Sequence, residues 1–326
     1  METANHTFLT RLREIGRSGL GAPLLLMVIL AMMVVPLAPL ALDLLFTFNI
    51  ALAIVILLAV IYVLRPLEFS AFPTVLLVVT LLRLALNVAS ARVVLLHGHE
   101  GTHAAGRVIQ AFGEFVVGGN YAVGFVVFII LTIINFMVVT KGAERVSEVS
   151  ARFVLDALPG KQMAIDADLN AGVLTREEAK ARREEVREEA DFYGSMDGAS
   201  KFIRGDAMAG ILILVINILG GLLVGVLQHG LPLATALKDY TLLTIGDGLV
   251  AQVPSLLLST SVAILVTRMS RAQDMSQQLM AQVFGQPRVL IITAAVLGLI
   301  GLIPGMPNLV FLGLAAICGG IAWMRH

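Results

Sequence analysis

Long apolar stretches separated by short polar segments dominate the chain and indicate its architecture. A helix needs about 20 mostly apolar residues to cross the hydrocarbon core of a bilayer. Eight stretches meet this requirement, so we predict an all-α, polytopic membrane protein with about eight transmembrane helices. The stretches cover residues 22–42, 44–64, 67–88, 112–140, 207–227, 241–266, 288–304 and 307–324.

The fourth apolar stretch is too long for one straight crossing and contains the pair Gly118-Gly119. Glycine tolerates backbone conformations that other residues avoid, so a bend is expected there. We predict a lead-in helix over Ile109–Asn120, a bend at the glycines and a true crossing over Tyr121–Thr140. The seventh and eighth stretches are joined by Pro304-Gly-Met-Pro307, which predicts a tight turn.

One long polar segment, residues 141–205, separates the fourth and fifth stretches. Within it, Thr175 and Glu178 have the spacing of a capping box, which predicts a helix over about 176–192. A segment of about 65 residues can bury only a small core, so we expect it to lean on its neighbours. The predicted organisation is an N-terminal segment 1–21, helices 1–4 in 22–140, this insertion in 141–205, and helices 5–8 in 206–326.

Composition supports a membrane protein and excludes other classes. Hydrophobic residues make up 58% of the chain and charged residues 14%, whereas a soluble domain carries about a quarter charged residues. The formal net charge is zero, which gives no electrostatic reason to expect nucleic-acid binding. The single cysteine, Cys318, rules out an internal disulfide framework and is expected to pack in the core.

Charge placement orients the predicted bundle. With a cytoplasmic N-terminus and eight crossings, both termini and the insertion are cytoplasmic. Most Lys and Arg then lie on that side, in agreement with the positive-inside rule. The residues that support this are Arg11, Arg13, Arg17, Arg65, Arg268, Arg271, Arg288 and Arg325, whereas Arg83, Arg92, Arg107 and Lys238 fall in the outer half or beyond.

Several charged residues lie in or beside the apolar stretches, where each needs a partner, water or a function. Arg83 shares a helical face with Asn87, and Arg92 continues it loosely. Arg83 is expected either to form an interhelical ion pair or to line a pathway. Asp43 is expected to cap the second helix, unless it takes part in ion coupling.

Two further acids are the main candidates for ion coupling. Asp206 opens the fifth stretch, where a carboxylate can cap a helix start. Asp247 has a glycine on each side, which would let another backbone approach closely, and Pro254 is expected to disturb its helix. Asp247 is therefore expected to serve an ion or water path, or to lock two helices together. A poorly hydrated carboxylate can take up and release a proton, as coupling to a proton gradient requires.

No sequence pattern indicates catalysis or a metal site. His97, His99 and His103 cluster in one loop, but they lack the Cys or carboxylate spacing of a zinc site, so we expect an ordinary surface loop. We find no P-loop, no nucleophile elbow and no HExxH. We therefore predict a protein that is not an enzyme and has no cofactor, no metal and no catalytic residue.

The stretch from Arg145 to Asp168, RVSEVSARFVLDALPGKQMAIDAD, contains a Pro-Gly break and a regular mixture of charges. It resembles the signature of the FHIPEP family, the large export-gate proteins of flagellar and injectisome type III secretion. Three other segments are similar to the same family, and the sequence of residues 161–172 favours its flagellar branch. Those segments are RPLEFSAFPT (65–74) leading into LLRLALNVASAR (81–92), FVVGGN (115–120) and GDGLVAQVPSLLLS (246–259).

The resemblance implies a function that composition does not show. Members form a ring of nine copies in the bacterial inner membrane, next to other membrane export-gate subunits. They use proton motive force, with sodium flux proposed as well, to help export unfolded flagellar proteins. Members also carry a large cytoplasmic domain after the eighth helix. That domain docks chaperone–substrate complexes and contacts the export ATPase complex. Because this chain ends at His326, we expect that domain to be missing from it.

The resemblance also implies which charges matter. Asp206 is the first candidate for proton coupling, and Lys201 is expected to pair with it. The other coupling candidates are Asp247, Arg83, Arg92 and Asp43, and Arg268 is a further matching position. The signature region contributes Arg145, Glu148, Arg152, Asp156, Lys161, Asp166 and Asp168, followed by Asp197.

Two other functions remain open at this point. The chain would be a purely structural ring scaffold if its charges only lock helices together. It would be a secondary transporter of a small solute if it worked as a monomer, although it lacks the repeated broken helices typical of that class.

Overall fold

The computed structural model describes residues 21–268, 285–303 and 307–324. Within these ranges the chain forms ten α-helices and no strand, which confirms the all-α prediction. Short 3₁₀ turns lie at Pro66–Phe69 and Gly98–Glu100. The α-helices are α1 (Gly21–Val34), α2 (Pro39–Tyr62), α3 (Phe72–His97), α4 (Arg107–Val117), α5 (Tyr121–Ile133), α6 (Lys141–Asn170), α7 (Arg176–Leu223), α8 (Leu233–Thr267), α9 (Pro287–Gly301) and α10 (Asn308–Met324).

An apolar helix lies in each of the eight predicted stretches, but the bounds differ, since α1 ends at Val34 and α3 runs to His97. Five helical segments are long and apolar enough to cross a membrane: Pro39–Tyr62, Phe72–Glu100, Tyr121–Asn170, Arg176–Gln228 and Leu233–Thr267. Helices α1, α9 and α10 are apolar but shorter. Apart from Gly21, the predicted N-terminal segment lies outside the described residues. So do residues 304–306 of the predicted turn and the orienting residues Arg11, Arg13, Arg17, Arg271 and Arg325.

The predicted insertion is built from two very long helices. Helix α5 continues through a π-helical segment, Ile134–Thr140, into α6, so that Tyr121–Asn170 is one helical rod of 50 residues. Helix α7 and the π-helical segment Val224–Gln228 form a second rod of 53 residues. At 1.5 Å per residue each rod is about 75 Å long, more than twice the thickness of a bilayer core. The polar halves of both rods extend beyond the apolar part as a hairpin.

The expected break at Pro159-Gly160 is wrong, because α6 continues through Pro159 to Asn170. Proline removes one backbone hydrogen bond, and α6 packs along α7, which supports the helix on one side. The capping box at Thr175 and Glu178 is confirmed. The helix that it starts runs far beyond the predicted end, because nothing between 192 and 223 interrupts it.

Ion pairs hold the hairpin in register. As the residue number rises along α6, that of its partner on α7 falls by nearly the same amount, as expected of two antiparallel helices. Such pairs are individually weak at a surface, but here they occur at three levels of one hairpin. The pairs are Glu144–Arg204 (2.7 Å), Lys161–Glu189 (2.5 Å) and Asp166–Arg183.

The predicted bend in the fourth stretch is present. Helix α4 ends at Gly118, which adopts a left-handed conformation (φ 51°). The Asn120 side chain then starts α5 by accepting hydrogen bonds from the amides of Ala122 and Val123. This lets α4 lie against α8, where glycines permit close contact. A Cβ at Gly113 would lie 2.7 Å from the Leu242 carbonyl oxygen.

Helices α3 and α8 are the most buried of the long apolar helices. In the most apolar 18-residue segment of each helix, 61% of the residues are buried in α3 and 56% in α8. The corresponding share is 17% in each of the two rods that contain α5 and α7. The chain divides into two compact units, and α1 to α8, apart from Tyr62 at the end of α2, belong to the first. In the second unit α9 packs against α10, and the Asn308 side chain donates a hydrogen bond to the Gly301 carbonyl at 2.7 Å.

A polar cavity as candidate functional site

A small polar cavity lies where α3, α5, α7 and α8 meet. Its volume is about 50 Å³, which is enough for a few water molecules. Helix α7 presents one face to it, with Asp206, Gly210 and Leu214 at successive turns. The polar residues in its wall are Arg83, Asn87, Thr132, Asn135, Asp206, Thr244, Asp247, Gln252 and Ser255. We call the end of the bundle near the hairpin the insertion end, and the end near residues 98–106 the loop end.

An ion pair between Arg83 and Asp206 forms the part of the cavity nearest the insertion end. Both residues are buried, with 1% and 3% of their surface exposed. Two predictions about Asp206 are therefore wrong. It does not cap a helix, because α7 begins thirty residues earlier, at Arg176. It does not pair with Lys201 either, because the Lys201 Nζ bonds Asp197 Oδ2 at 2.7 Å.

Asp247 lies deeper in the cavity, on α8, and is 5% exposed. The Asn217 side chain donates a hydrogen bond to its Oδ2 at 3.2 Å. No Lys or Arg among the described residues forms an ion pair with it. The expected disturbance at Pro254 is wrong, because α8 runs unbroken from Leu233 to Thr267. The predicted close approach of another backbone beside Asp247 is confirmed, since a Cβ at Gly246 would collide with the Ile109 carbonyl of α4.

Many polar atoms in the cavity wall have no hydrogen-bond partner within the protein. Buried polar atoms are costly unless they are hydrogen-bonded, so a group of them around one cavity suits water or a small cation. The cavity therefore has the chemical character of a hydrated site and not of a dry core. The atoms are Asn87 Oδ1, Asn135 Oδ1, Asp206 Oδ1, Thr244 Oγ1, Asp247 Oδ1 and Ser255 Oγ.

The π-helical segment of the first rod supplies part of this wall. Single π turns within α-helices occur often at functional sites because they re-aim side chains. Asn135 lies in this segment and donates to the Gln252 carbonyl at 3.5 Å, while Gln252 Nε2 donates to Thr132 Oγ1 at 2.7 Å. These three residues and Asn217 were not predicted from the sequence. The available signal was a polar side chain isolated within an apolar stretch.

Two other coupling candidates stabilise helix ends. The Asp43 carboxylate accepts hydrogen bonds from the amides of Arg107 and Val108, both at 2.9 Å. It therefore caps α4 and not the second helix, which corrects the prediction. The Arg92 guanidinium donates to the Val34 carbonyl at the end of α1. Unpaired amides and carbonyls at helix ends are the groups that such side chains satisfy.

Arg268 stabilises the end of α2 in the same way. Its Nη1 donates to the carbonyls of Val60 and Ile61, at 3.0 and 3.2 Å. A cation near the last turn of a helix also interacts favourably with the helix dipole. Arg268, Arg92 and Asp43 thus join helices together and do not line the cavity.

The signature charges lie on the hairpin, outside the cavity. Arg145 pairs with Glu148 at 2.9 Å and Arg152 with Asp156 at 3.8 Å. Lys161 and Asp166 take part in the hairpin ion pairs, and the Asp168 carbonyl accepts two amides in the turn between α6 and α7. These residues position the hairpin, and the described structure does not bring them to Asp206 or Asp247.

Two of the loop histidines contact another histidine, His229, and an acid. The rings of His99 and His229 stack with centroids 3.6 Å apart, and His97 Nδ1 lies 3.1 Å from Glu100 Oε1. Among the described residues, no three His, Cys, Asp or Glu side chains are grouped so that they could hold a metal ion.

Comparison with known proteins places these features in a family. The model of the FHIPEP family matches residues 29–326. The chain is 64% identical to the flagellar biosynthesis protein FlhA of Salmonella typhimurium and 65% identical to that of Escherichia coli, over 93% of this chain and 44% of each relative. It is 57% identical to the putative flagellar export/assembly protein LfhA of Escherichia coli O44:H18, over 99% of this chain and 46% of that protein.

These relatives are much longer than the matched region. The chain spans less than half of the length of each of these three curated relatives. No solved structure matches the chain.

Proposed function

The chain belongs to the FHIPEP family, and we propose that it is a membrane subunit of a flagellar protein export apparatus through which proton motive force acts. The names of its relatives, a flagellar biosynthesis protein and a putative flagellar export/assembly protein, support the flagellar role. The apolar helices support a membrane location. We propose the bacterial inner membrane, with the insertion end and both termini in the cytoplasm, where positively charged loops are favoured.

Asp247 carries the proposal for proton coupling. It is a buried acid in a cavity lined by polar atoms, and the group that donates a hydrogen bond to it is a neutral amide, that of Asn217. An acid within a membrane bundle that lacks a cation can exchange a proton with nearby water without breaking an ion pair. A sodium ion bound by the oxygens of the cavity is the alternative within this proposal.

The proposed partners follow from the family resemblance. We propose a ring of nine copies that contacts other membrane export-gate subunits and the lipid bilayer. Contacts with the export ATPase complex and with chaperone–substrate complexes are proposed for the longer protein, mainly through the region after this chain. We propose no enzymatic activity for the described site, which consists of carboxylates, amides and hydroxyls without an activated nucleophile.

The test is to replace each acid by its amide in the full-length protein. Asp247→Asn is expected to abolish secretion of flagellar proteins and to lower proton flux, because an amide cannot release a proton in this range of pH. Asp206→Asn is expected to reduce secretion through loss of the ion pair. Secretion is measured in culture supernatants and flux with a pH-sensitive dye.

Glu185→Gln is the matched control, because it makes the same chemical change at an exposed position on the hairpin. It should leave both quantities unchanged. Normal secretion and normal proton flux in both Asp variants would remove the coupling proposal.

A purely structural, scaffolding role is the second candidate function, and it concerns the end of the cavity that holds the Arg83–Asp206 pair. The Arg83–Asp206 pair joins α3 to α7 and neutralises both charges, as expected of a lock between helices. If this is its only role, substitutions at Asp206 will reduce the oligomer on native gels in proportion to the loss of secretion. A transport role predicts lost secretion with the oligomer intact.

A further inference from the structure

A second and larger pocket lies at the loop end of the bundle. Its volume is about 560 Å³. Lys238 and Asp239 of α8, Glu114 of α4 and Tyr121 of α5 line it, and the Lys238 ammonium lies 5.6 Å from the centre of the Tyr121 ring. Charged walls favour water in this pocket. It therefore resembles a hydrated vestibule on the side of the cavity away from the hairpin.

An apolar cluster lies between this vestibule and the cavity. We call it the apolar plug, and it consists of Val117, Phe128, Ile245 and Leu249. All four side chains are buried, and Phe128 and Ile245 are each only 1% exposed. The plug residues come from α4, α5 and α8, which are the helices that also line the vestibule.

The order of residues along α5 places the plug. Tyr121 lines the vestibule, Phe128 belongs to the plug two turns later, and Thr132 lines the cavity one turn further on. The plug also touches both spaces, because Val117 lines the vestibule and Phe128 packs on Gly248, which lines the cavity. On α8 the plug residues Ile245 and Leu249 lie at the same level as Asp247.

Tight packing closes the plug. A Cβ at Gly248, next to Asp247, would lie 2.6 Å from the Phe128 ring, so the ring rests directly on the α8 backbone. A Cβ at Gly124 would lie 2.5 Å from the Val117 Cα, so α4 and α5 meet without a gap. Hydrophobic constrictions of this kind block ions because water leaves them.

We propose that the apolar plug is the barrier to water and ions between the vestibule and the cavity, with Phe128 as its central side chain. The inference rests on the proposed function, since a cavity that handles protons must be closed on one side to avoid a leak. Opening the plug would connect Asp247 to the loop end.

The first test measures proton flux through the full-length protein in liposomes under an imposed pH gradient. Phe128→Ala removes most of the central side chain and is expected to raise the proton flux about tenfold. A tenfold change in rate requires only a modest part of the free energy that burial of a phenylalanine side chain provides. Phe128→Leu keeps apolar bulk and should retain the barrier. Ile130→Ala, at a half-exposed position on the same helix, should leave the flux unchanged.

The second test measures access and does not depend on conduction. Thr244→Cys places a thiol in the cavity wall, in a protein whose native cysteines, Cys318 included, are replaced by serine. A membrane-impermeant thiol reagent is added from the loop end. Phe128→Ala should raise its labelling rate about tenfold, the same factor as for the flux. Lys238→Cys in the vestibule should be labelled equally in both backgrounds.

The outcomes separate the two proposals. Unchanged flux and unchanged Thr244→Cys labelling in the Phe128→Ala protein would overturn the plug, even if Asp247→Asn abolishes secretion. Faster labelling combined with normal secretion and flux in Asp206→Asn and Asp247→Asn would support the plug and overturn proton coupling.

Discussion

The two acids of the cavity are both buried but have different partners. Asp206 faces the Arg83 guanidinium, whereas Asp247 accepts one hydrogen bond from the Asn217 amide. A buried acid matched with a cation stays charged and resists change, and breaking such a pair leaves an uncompensated charge. An acid bonded to an amide can gain or lose a proton while its neighbour keeps its position. The same residue type therefore serves as a lock at one end of the cavity and as a candidate proton site at the other.

The difference shifts attention from Asp206 to Asp247. Family resemblance favours Asp206 as the first coupling candidate. In this structure, however, its ion pair with Arg83 also gives it a structural role.

Arg83→Ala should destabilise the protein most, by about 3–5 kcal/mol, because it leaves the Asp206 carboxylate buried without a cation. The measurement is thermal or denaturant unfolding of the full-length protein in detergent. Arg83→Met combined with Asp206→Leu removes both charges and should recover most of the lost stability. If the double variant is as unstable as Arg83→Ala, packing and not charge matching explains the loss.

Gly246→Ala should cost about 1–3 kcal/mol, because the added methyl group would collide with the Ile109 carbonyl and push α4 away from α8. That movement would also displace Asp247, so secretion should fall. Gly210→Ala is the control, since it lines the cavity and a Cβ there meets no atom within 4 Å. Equal losses in both variants would argue against close packing as the reason for the glycine beside Asp247.

Thr175→Ala should affect neither end of the cavity and should destabilise only the hairpin tip, by about 1 kcal/mol, because it removes a helix cap. Local hydrogen exchange measures this effect. Hydrogen bonds from the Thr175 amide and hydroxyl lower the pKa of Glu178. The capping contribution of Glu178 is therefore present above the pKa of an unfolded glutamate and is lost as the pH falls through the lowered value. Hydrogen exchange that is independent of pH at the tip would contradict this account.

Asp247→Asn should change the free energy of unfolding by less than about 1 kcal/mol, because the amide oxygen can still accept the Asn217 hydrogen bond and no cation loses its partner. Stability near that of the unaltered protein, together with lost secretion, would sharpen the contrast with Arg83→Ala. A loss as large as that of Arg83→Ala would show that Asp247 also acts as a lock.

Much of the fold could be predicted because hydropathy and turn signals are local. The apolar stretches, the bend after α4 and the capping box at Thr175 each depend on residues close together in the chain. Local signals failed at Pro159 and Pro254, where proline lies inside a continuous helix. Both helices pack along neighbours, and tertiary contacts of this kind outweigh the cost of one missing hydrogen bond.

The candidate site was predictable only in part. Sequence analysis selected Arg83, Asp206 and Asp247, because a charge within an apolar stretch is conspicuous. It missed Asn217 and Gln252, because a single amide in such a stretch is a weaker signal. It also grouped Asp43 and Arg92 with the coupling candidates, although both satisfy the ends of neighbouring helices.

The helical membrane architecture, the position of the polar insertion and the family could all be predicted from contiguous residues. The partner of each buried charge could not, because it depends on how the helices pack. Arg83 meets Asp206, Arg268 meets Ile61, and Asp247 meets an amide, and in each case the residues are far apart in the chain. Helix packing brings them together. Electrostatic interactions are strong in the weakly polar surroundings of these residues, so the partner of a buried acid decides whether the acid is held fixed or can exchange a proton.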